Sequence, residues 1–177
     1  MRNALVLAIV LGLATAASSG QESAPKPPTA KPIAALAWLV GGVWTADTSQ
    51  MGPGVQRIET RYQWSDNNAF IRFNTHFVSD KGTLRNYDGH FFWNPAESSL
   101  AMWYMDAREG ITQGRVRVDG DLMEITFRAP DMQGKEAEMR VRVARKTNDD
   151  YIWTLEEKDA ADWKQLLKLE YLRGAEK

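Results

Sequence analysis

Two histidines and a nearby aspartate are the residues best suited to proton transfer or metal binding in this sequence. His76 and His90 fall in two adjacent extended segments, with Asp88 two residues before the second histidine. If the connecting bend is centred near Gly82, His76 lies opposite Asp88, and Asn74 lies opposite His90. A carboxylate beside an imidazole fixes its tautomer and suits a base or a metal ligand. The alternative is a polar outer face of an antiparallel sheet.

The sequence carries none of the local motifs that define common catalytic sites. It has no phosphate-binding glycine loop, no His-Glu-x-x-His and no Gly-x-Ser-x-Gly elbow. Cysteine is absent, which excludes thiol nucleophiles, disulfides and zinc–thiolate sites. A net charge of −1 argues against nucleic acid as a partner. No catalytic residue, cofactor or metal ligand is therefore predicted.

Large aromatic side chains form the second candidate set. Seven tryptophans in 177 residues supply much apolar area with one donor each, which is typical of cores and of ligand-lined cavities. Eight side chains are predicted to converge as a ligand-binding interior: Tyr62, Trp64, Phe73, Phe77, Phe91, Trp93, Met102 and Tyr104. Such a wall suits a lipid-like or planar molecule. The same side chains could instead pack a small interior solid.

The aromatic hairpin Tyr87–Asp106 is the element around which these residues are organised. Two apolar runs flank the turn-rich segment Asn94–Ser99, where Pro95 favours a turn. Alternation along the two runs places Phe92 and Trp103 on the face opposite the predicted interior. Those two residues could form a contact patch for a partner or a homodimer, or be covered by a loop.

Segments with period-two alternation and short turns between them fill most of the remaining chain. About nine or ten strands are predicted, over Val43–Asp47, Val55–Trp64, Phe70–Val78, Tyr87–Trp93, Leu100–Met105, Gly110–Val118, Asp121–Arg128, Ala137–Arg145, Tyr151–Glu157 and Trp163–Arg173. In the last of them Trp163, Leu167, Leu169 and Tyr171 are predicted to share one face. A meander of this kind removes its edges most simply by closing.

The apolar segment Ile33–Val40, ended by Gly41-Gly42, predicts a short helix that plugs one end of the barrel. The predicted fold is therefore all-β: a closed antiparallel meander barrel of about eight to ten strands with a short N-terminal plug helix. Residues 33–175 are predicted to form a single domain.

The N-terminal residues have the features of an export signal. Met1–Ala16 combines Arg2, the apolar run Ala4–Leu13 and the small-x-small pattern Ala14-Thr15-Ala16. The run is shorter than the roughly 20 residues that span a bilayer. Residues 1–16 are thus predicted to be a cleaved signal peptide and residues 17–32 a disordered leader. The mature protein is predicted to be periplasmic or secreted, without membrane insertion after cleavage.

A plug segment leading into Gly42-Val43-Trp44 resembles the Gly-x-Trp opening of the calycin superfamily, which includes lipocalins and nitrobindins. The chain looks closest to exported bacterial lipocalin-like proteins of unassigned function. The resemblance implies that Trp44 packs beneath Arg173 and that the two close the bottom of the barrel. The haem-ligating histidine of nitrobindins has no counterpart in Trp163–Arg173, so the resemblance adds no cofactor.

The sequence favours an exported small-molecule-binding barrel that holds an apolar or aromatic ligand in an aromatic interior. One alternative is a barrel enzyme that uses His76 or His90 with Asp88. Another is an envelope interaction module without a ligand, with Trp103 and Phe92 as its contact patch.

Overall fold

The computed structural model describes residues 32–48, 51, 54–106, 110–131 and 133–175, with only the backbone described at 84–86. The predicted signal peptide and nearly all of the predicted leader lie outside the described residues. No helix among the described residues is long and apolar enough to cross a membrane.

Ten antiparallel strands close into one barrel, which confirms the predicted fold class. The strands are β1 (Val43–Ala46), β2 (Arg57–Trp64), β3 (Phe70–Ser79), β4 (Gly82–Asn94), β5 (Ser99–Asp106), β6 (Ile111–Asp119), β7 (Leu122–Pro130), β8 (Glu136–Arg145), β9 (Asp150–Asp159) and β10 (Asp162–Gly174). Each strand pairs with its neighbours in the chain, and β1 pairs with β10 to close the sheet. The closure leaves no free edge among these strands.

The plug helix is a 3-10 helix, Pro32–Leu39, in agreement with the predicted short helix. Its residues Ile33, Leu36 and Leu39 are buried against the barrel core. The chain leaves it through Gly41 and Gly42, both with positive φ. A Cβ on Gly42 would lie 2.6 Å from the Gly174 carbonyl oxygen, so only glycine lets the plug helix meet the end of β10.

The alternating pattern of each strand sorts its side chains into an apolar interior and a polar outer face. In β8, Met139, Val141 and Val143 are buried inside the barrel. The intervening Arg140 forms an outer-face ion pair with Glu156, with Nε and Oε2 2.6 Å apart. Side-chain direction could therefore be predicted correctly over most of the barrel.

The register of the β3–β4 hairpin differs from the predicted one by two residues. Asn74, rather than His76, pairs with Asp88, while His76 pairs with Asn86. The strands turn tightly between Ser79 and Gly82 and then contain a bulge near Phe77, rather than bending around Gly82. A shift of two residues keeps every side chain on its predicted face, but it changes all the cross-strand neighbours.

A second bulge corrects the prediction for β10. The pairing with β9 shifts between Gln165 and Leu167, so one residue is inserted in β10. Leu167 and Tyr171 face inward as predicted, but Trp163 lies on the outer face. There its ring lies 4.3 Å from Cζ of Arg140. The extra residue reverses the inward and outward alternation of the side chains before the bulge. A strict period of two along β10 does not predict this reversal.

Candidate functional site

The barrel contains a cavity of about 690 Å³ that is partly open to solvent, so its interior is not packed solid. This volume lies within the range of small-molecule sites and corresponds to about twenty waters at roughly 30 Å³ each. Much of the wall is aliphatic, with Ile125, Val141 and Leu155 contributed by three adjacent strands. The cavity can accommodate a molecule of about twenty non-hydrogen atoms.

Six of the eight side chains predicted to line the interior belong to the cavity wall. They are Tyr62, Phe73, Phe77, Phe91, Met102 and Tyr104. Trp64 and Trp93 pack against the core but are not among the lining residues. Trp64 is the last residue of β2, and Trp93 is one residue before the end of β4. Both therefore lie at the end of the barrel that the plug helix closes, away from the open end. Alternation predicts the face of a side chain but not its depth along the barrel axis.

Strands β9 and β10 contribute lining residues that were missing from the predicted site. Tyr151, Trp153 and Leu155 line the cavity from β9, and Leu169 and Tyr171 line it from β10. The sequence did contain a sign of these residues, because the alternation of apolar residues in β9 and in β10 already placed each strand's set on one face. Only the closure of β10 onto β1 brings them opposite the aromatic hairpin.

Five hydroxyl side chains form a connected polar cluster in this otherwise apolar wall, and we call it the hydroxyl cluster. Its members are Thr60, Tyr62, Thr75, Tyr151 and Tyr171. The phenols of Tyr62 and Tyr151 share a hydrogen bond, and Thr60 bonds to Tyr171. The hydroxyl oxygens of Thr60 and Thr75 lie 2.9 Å apart. The cluster spans β9, β10, β2 and β3, on both sides of the short strand β1.

Burial keeps the phenols of the hydroxyl cluster neutral. It raises the pKa of Tyr62 to about 12, against a partly compensating hydrogen bond from Tyr151. Burial is also the main cause that raises the pKa of Tyr151 and that of Tyr171. An apolar enclosure disfavours the charged form of any acid placed in it. The cavity is therefore an environment for uncharged groups.

We expect the protein to lose stability steeply between pH 10 and pH 12. In the unfolded chain Tyr62 ionises near its ordinary pKa of 10.0, whereas in the fold its pKa is about 12. The neutral form is favoured only in the folded state, so the stabilisation is complete below pH 10 and is lost as the pH rises towards 12. Tyr62 alone accounts for roughly 2–3 kcal/mol over this range.

Tyrosinate absorbance followed together with circular dichroism measures this loss. Ionisation of the buried tyrosines should coincide with unfolding, while the same titration in concentrated urea should show all five tyrosines ionising near pH 10. Full ionisation of a still folded protein near pH 10 would contradict the burial of these phenols.

Gly89 is a position that the sequence analysis missed. It faces the interior of β4, and the ring of Phe73 lies across it. A Cβ at this position would lie 2.3 Å from Cζ of Phe73 and 2.5 Å from the Trp103 carbonyl oxygen. The missing side chain leaves the space that the Phe73 ring occupies.

Charged groups are almost absent from the cavity wall. Among the described lining residues none is lysine, arginine or histidine, and Asp131 is the one carboxylate. Asp131 lies just after β7, where its Oδ1 accepts the backbone N–H groups of Gln133 and Lys135, each at 2.8 Å. This carboxylate is thus occupied in a turn at the end of the barrel remote from the plug helix.

Both histidines lie on the outer face of the barrel, away from the cavity. The His90 ring contacts Phe70 and Trp103, with ring centroids 5.1 Å and 4.7 Å apart. Burial, followed by the nearby Arg72, lowers the pKa of His90. Asn74, rather than a histidine, donates a hydrogen bond to Asp88. The barrel-lined arrangement of imidazoles and Asp88 that the enzyme hypothesis required is therefore not formed.

The outer face around His90 also contains the predicted contact patch. Phe92 and Trp103 are half-buried there, and Met105 on β5 and Ile111 on β6 are exposed. A partner or a second copy of the chain on this face stays a prediction.

The end of the barrel next to the plug helix is closed by the pair Trp44 and Arg173. Trp44 is fully buried, and its Nε1–H donates to the Leu39 carbonyl at 2.8 Å. Cζ of Arg173 lies 4.4 Å from the Trp44 ring centroid, which is a cation–π geometry. The same guanidinium donates to the Val40 carbonyl at 2.9 Å and to the Asn148 carbonyl at 2.8 Å. These contacts fix the plug helix to the last strand.

Comparisons with known proteins support the fold and go no further. No family model matches the sequence, and no curated protein matches it. Among solved structures, the barrel is similar to that of Rv2717c from M. tuberculosis, with a TM-score of 0.50 and 14% sequence identity. The match covers 80% of this chain and 96% of that chain. The similarity concerns the closed antiparallel barrel and shows the fold alone.

Proposed function

We propose that this protein is an exported carrier that holds a small, mainly apolar molecule inside its barrel without transforming it. The cavity of about 690 Å³ is the observation that carries the proposal. Its wall combines aliphatic and aromatic side chains with a few hydroxyls, as in sites that orient a largely buried ligand. The signal-peptide pattern of residues 1–16 supports the export part of the proposal.

Trp153 provides an internal reporter for this binding. It is the one tryptophan among the described lining residues of the cavity. A neutral, polarity-sensitive dye such as Nile red should brighten on binding and should accept excitation energy from Trp153. The Trp153→Phe protein is expected to bind the dye within about twofold of the wild-type affinity, because a ring of similar shape remains. It should show a much weaker energy transfer.

Trp163→Phe is the matched control, because Trp163 lies on the outer face. This variant should keep a larger share of the transfer than Trp153→Phe keeps. Failure of the dye to bind, or equal loss of transfer in the two variants, would contradict binding inside the barrel.

A further inference from the structure

The hydroxyl cluster holds more hydrogen-bonding capacity than it uses internally. The pair Tyr62 and Tyr151 has two O–H groups and one shared bond. The chain Thr75, Thr60 and Tyr171 has three O–H groups and two shared bonds. Each set therefore keeps one O–H proton that its own bonds do not use, as well as unused oxygen lone pairs. These groups lie in the wall of the cavity, so a bound molecule can reach them.

The electrostatics of the same wall select against an ionic ligand. The described lining residues include no cationic side chain that could pair with a carboxylate or a phosphate. The Asp131 carboxylate lies at the opposite end of β7 from the plug helix and caps a backbone turn. A charged head group buried among apolar side chains without a counter-charge is strongly disfavoured. A neutral oxygen, by contrast, finds donors and acceptors already in place.

The geometry points to a ligand class: we infer that the barrel takes a neutral apolar molecule whose hydroxyl or carbonyl group hydrogen-bonds to the hydroxyl cluster. This inference rests on the proposed binding function and narrows it. The polar group enters the cavity first and meets Tyr62 and Tyr171, while the apolar body lies along the wall formed by β5, β7 and β8. Long-chain alcohols, ketones and sterol-like alcohols belong to this class, and ionised fatty acids do not.

Displacement of bound Nile red by three ten-carbon probes tests the ligand class at a pH where the acid is ionised. The probes are decanol, decanoate and decane. Decanol is expected to displace the dye at a concentration at least tenfold lower than decanoate, because the wall offers the carboxylate no counter-charge. Equal or tighter binding of decanoate would overturn the inference, although the proposed binding function would stand. If no probe displaces a dye that is bound inside the barrel, the inference is contradicted and the proposed binding function stands.

The Tyr62→Phe variant tests the role of the hydroxyl cluster. It removes one hydroxyl and keeps the ring, so decanol affinity is expected to fall about fivefold, the effect of a lost neutral hydrogen bond. Decane affinity should change by less than about twofold, since the alkane makes no such bond. A purely structural effect would weaken both probes together, and that result would overturn the assignment. If Tyr62→Phe fails to fold, Tyr171→Phe provides the same comparison of decanol and decane for the hydroxyls of Thr75, Thr60 and Tyr171.

Discussion

Replacing Trp44 with alanine is expected to lower the free energy of unfolding by about 3–5 kcal/mol, the range measured for large aromatic deletions in cores. The indole is fully buried and packs on Tyr151, with ring centroids 4.7 Å apart. Its loss also leaves the Leu39 carbonyl without its donor and removes the ring beneath Arg173. The plug helix and the junction of β1 with β10 should both loosen. Urea denaturation followed by circular dichroism measures the change.

Trp163→Ala is the matched control for this prediction. Trp163 is a half-buried tryptophan on the outer face, where it contacts Arg140. Truncation there opens no internal cavity, so we expect less than half the loss produced by Trp44→Ala. A similar loss in the two variants would mean that closure at the plug end does not contribute specially to stability.

Filling the cavity from the open end is expected to remove ligand binding while leaving the barrel folded. Ala129 lines the cavity near the end of β7 and is the smallest side chain in that part of the wall. In Ala129→Trp the new indole should occupy space that the ligand needs. We expect at least a tenfold loss of Nile red affinity, about 1.4 kcal/mol or more. The midpoint of urea unfolding should be unchanged or higher, since a filled void adds packing contacts.

Thr126→Trp is the control for the filled cavity. Thr126 lies on the same strand, is exposed on the outer face, and pairs with Arg115 and Arg140 there. An indole at this position adds the same group without entering the barrel, so dye affinity should stay within about twofold. Unaltered dye binding in Ala129→Trp would show that the ligand does not occupy the interior.

Side-chain direction could be predicted from the sequence because it follows from a period of two, and barrel closure could be predicted from the meander of short strands. The alternation in β8 separates Met139 and Val141 from Arg140 without any tertiary information. Closure followed from ten short strands with short connections and no long helix between them. The pairing of Trp44 with Arg173 came from resemblance to a family, since the two residues are far apart in the chain.

The parts that could not be predicted depend on the length of one turn, on a single inserted residue in β10, and on the depth of each side chain along the barrel axis. The tight turn between Ser79 and Gly82 separates Asp88 from His76, and the β10 bulge turns Trp163 outward. A bulge changes one backbone position and leaves little trace in a hydrophobic pattern. The cavity itself depends on how far each side chain reaches across the barrel. Gly89 shows this, because its missing side chain makes the space that Phe73 fills.

Native mass spectrometry of the protein purified from its own host, before and after exposure to a lipid extract of that host, tests the binding function most directly. The cavity predicts a discrete adduct of one molecule per chain, released by organic solvent and neutral in charge. The polypeptide mass alone, both before and after exposure to the extract, would contradict the account.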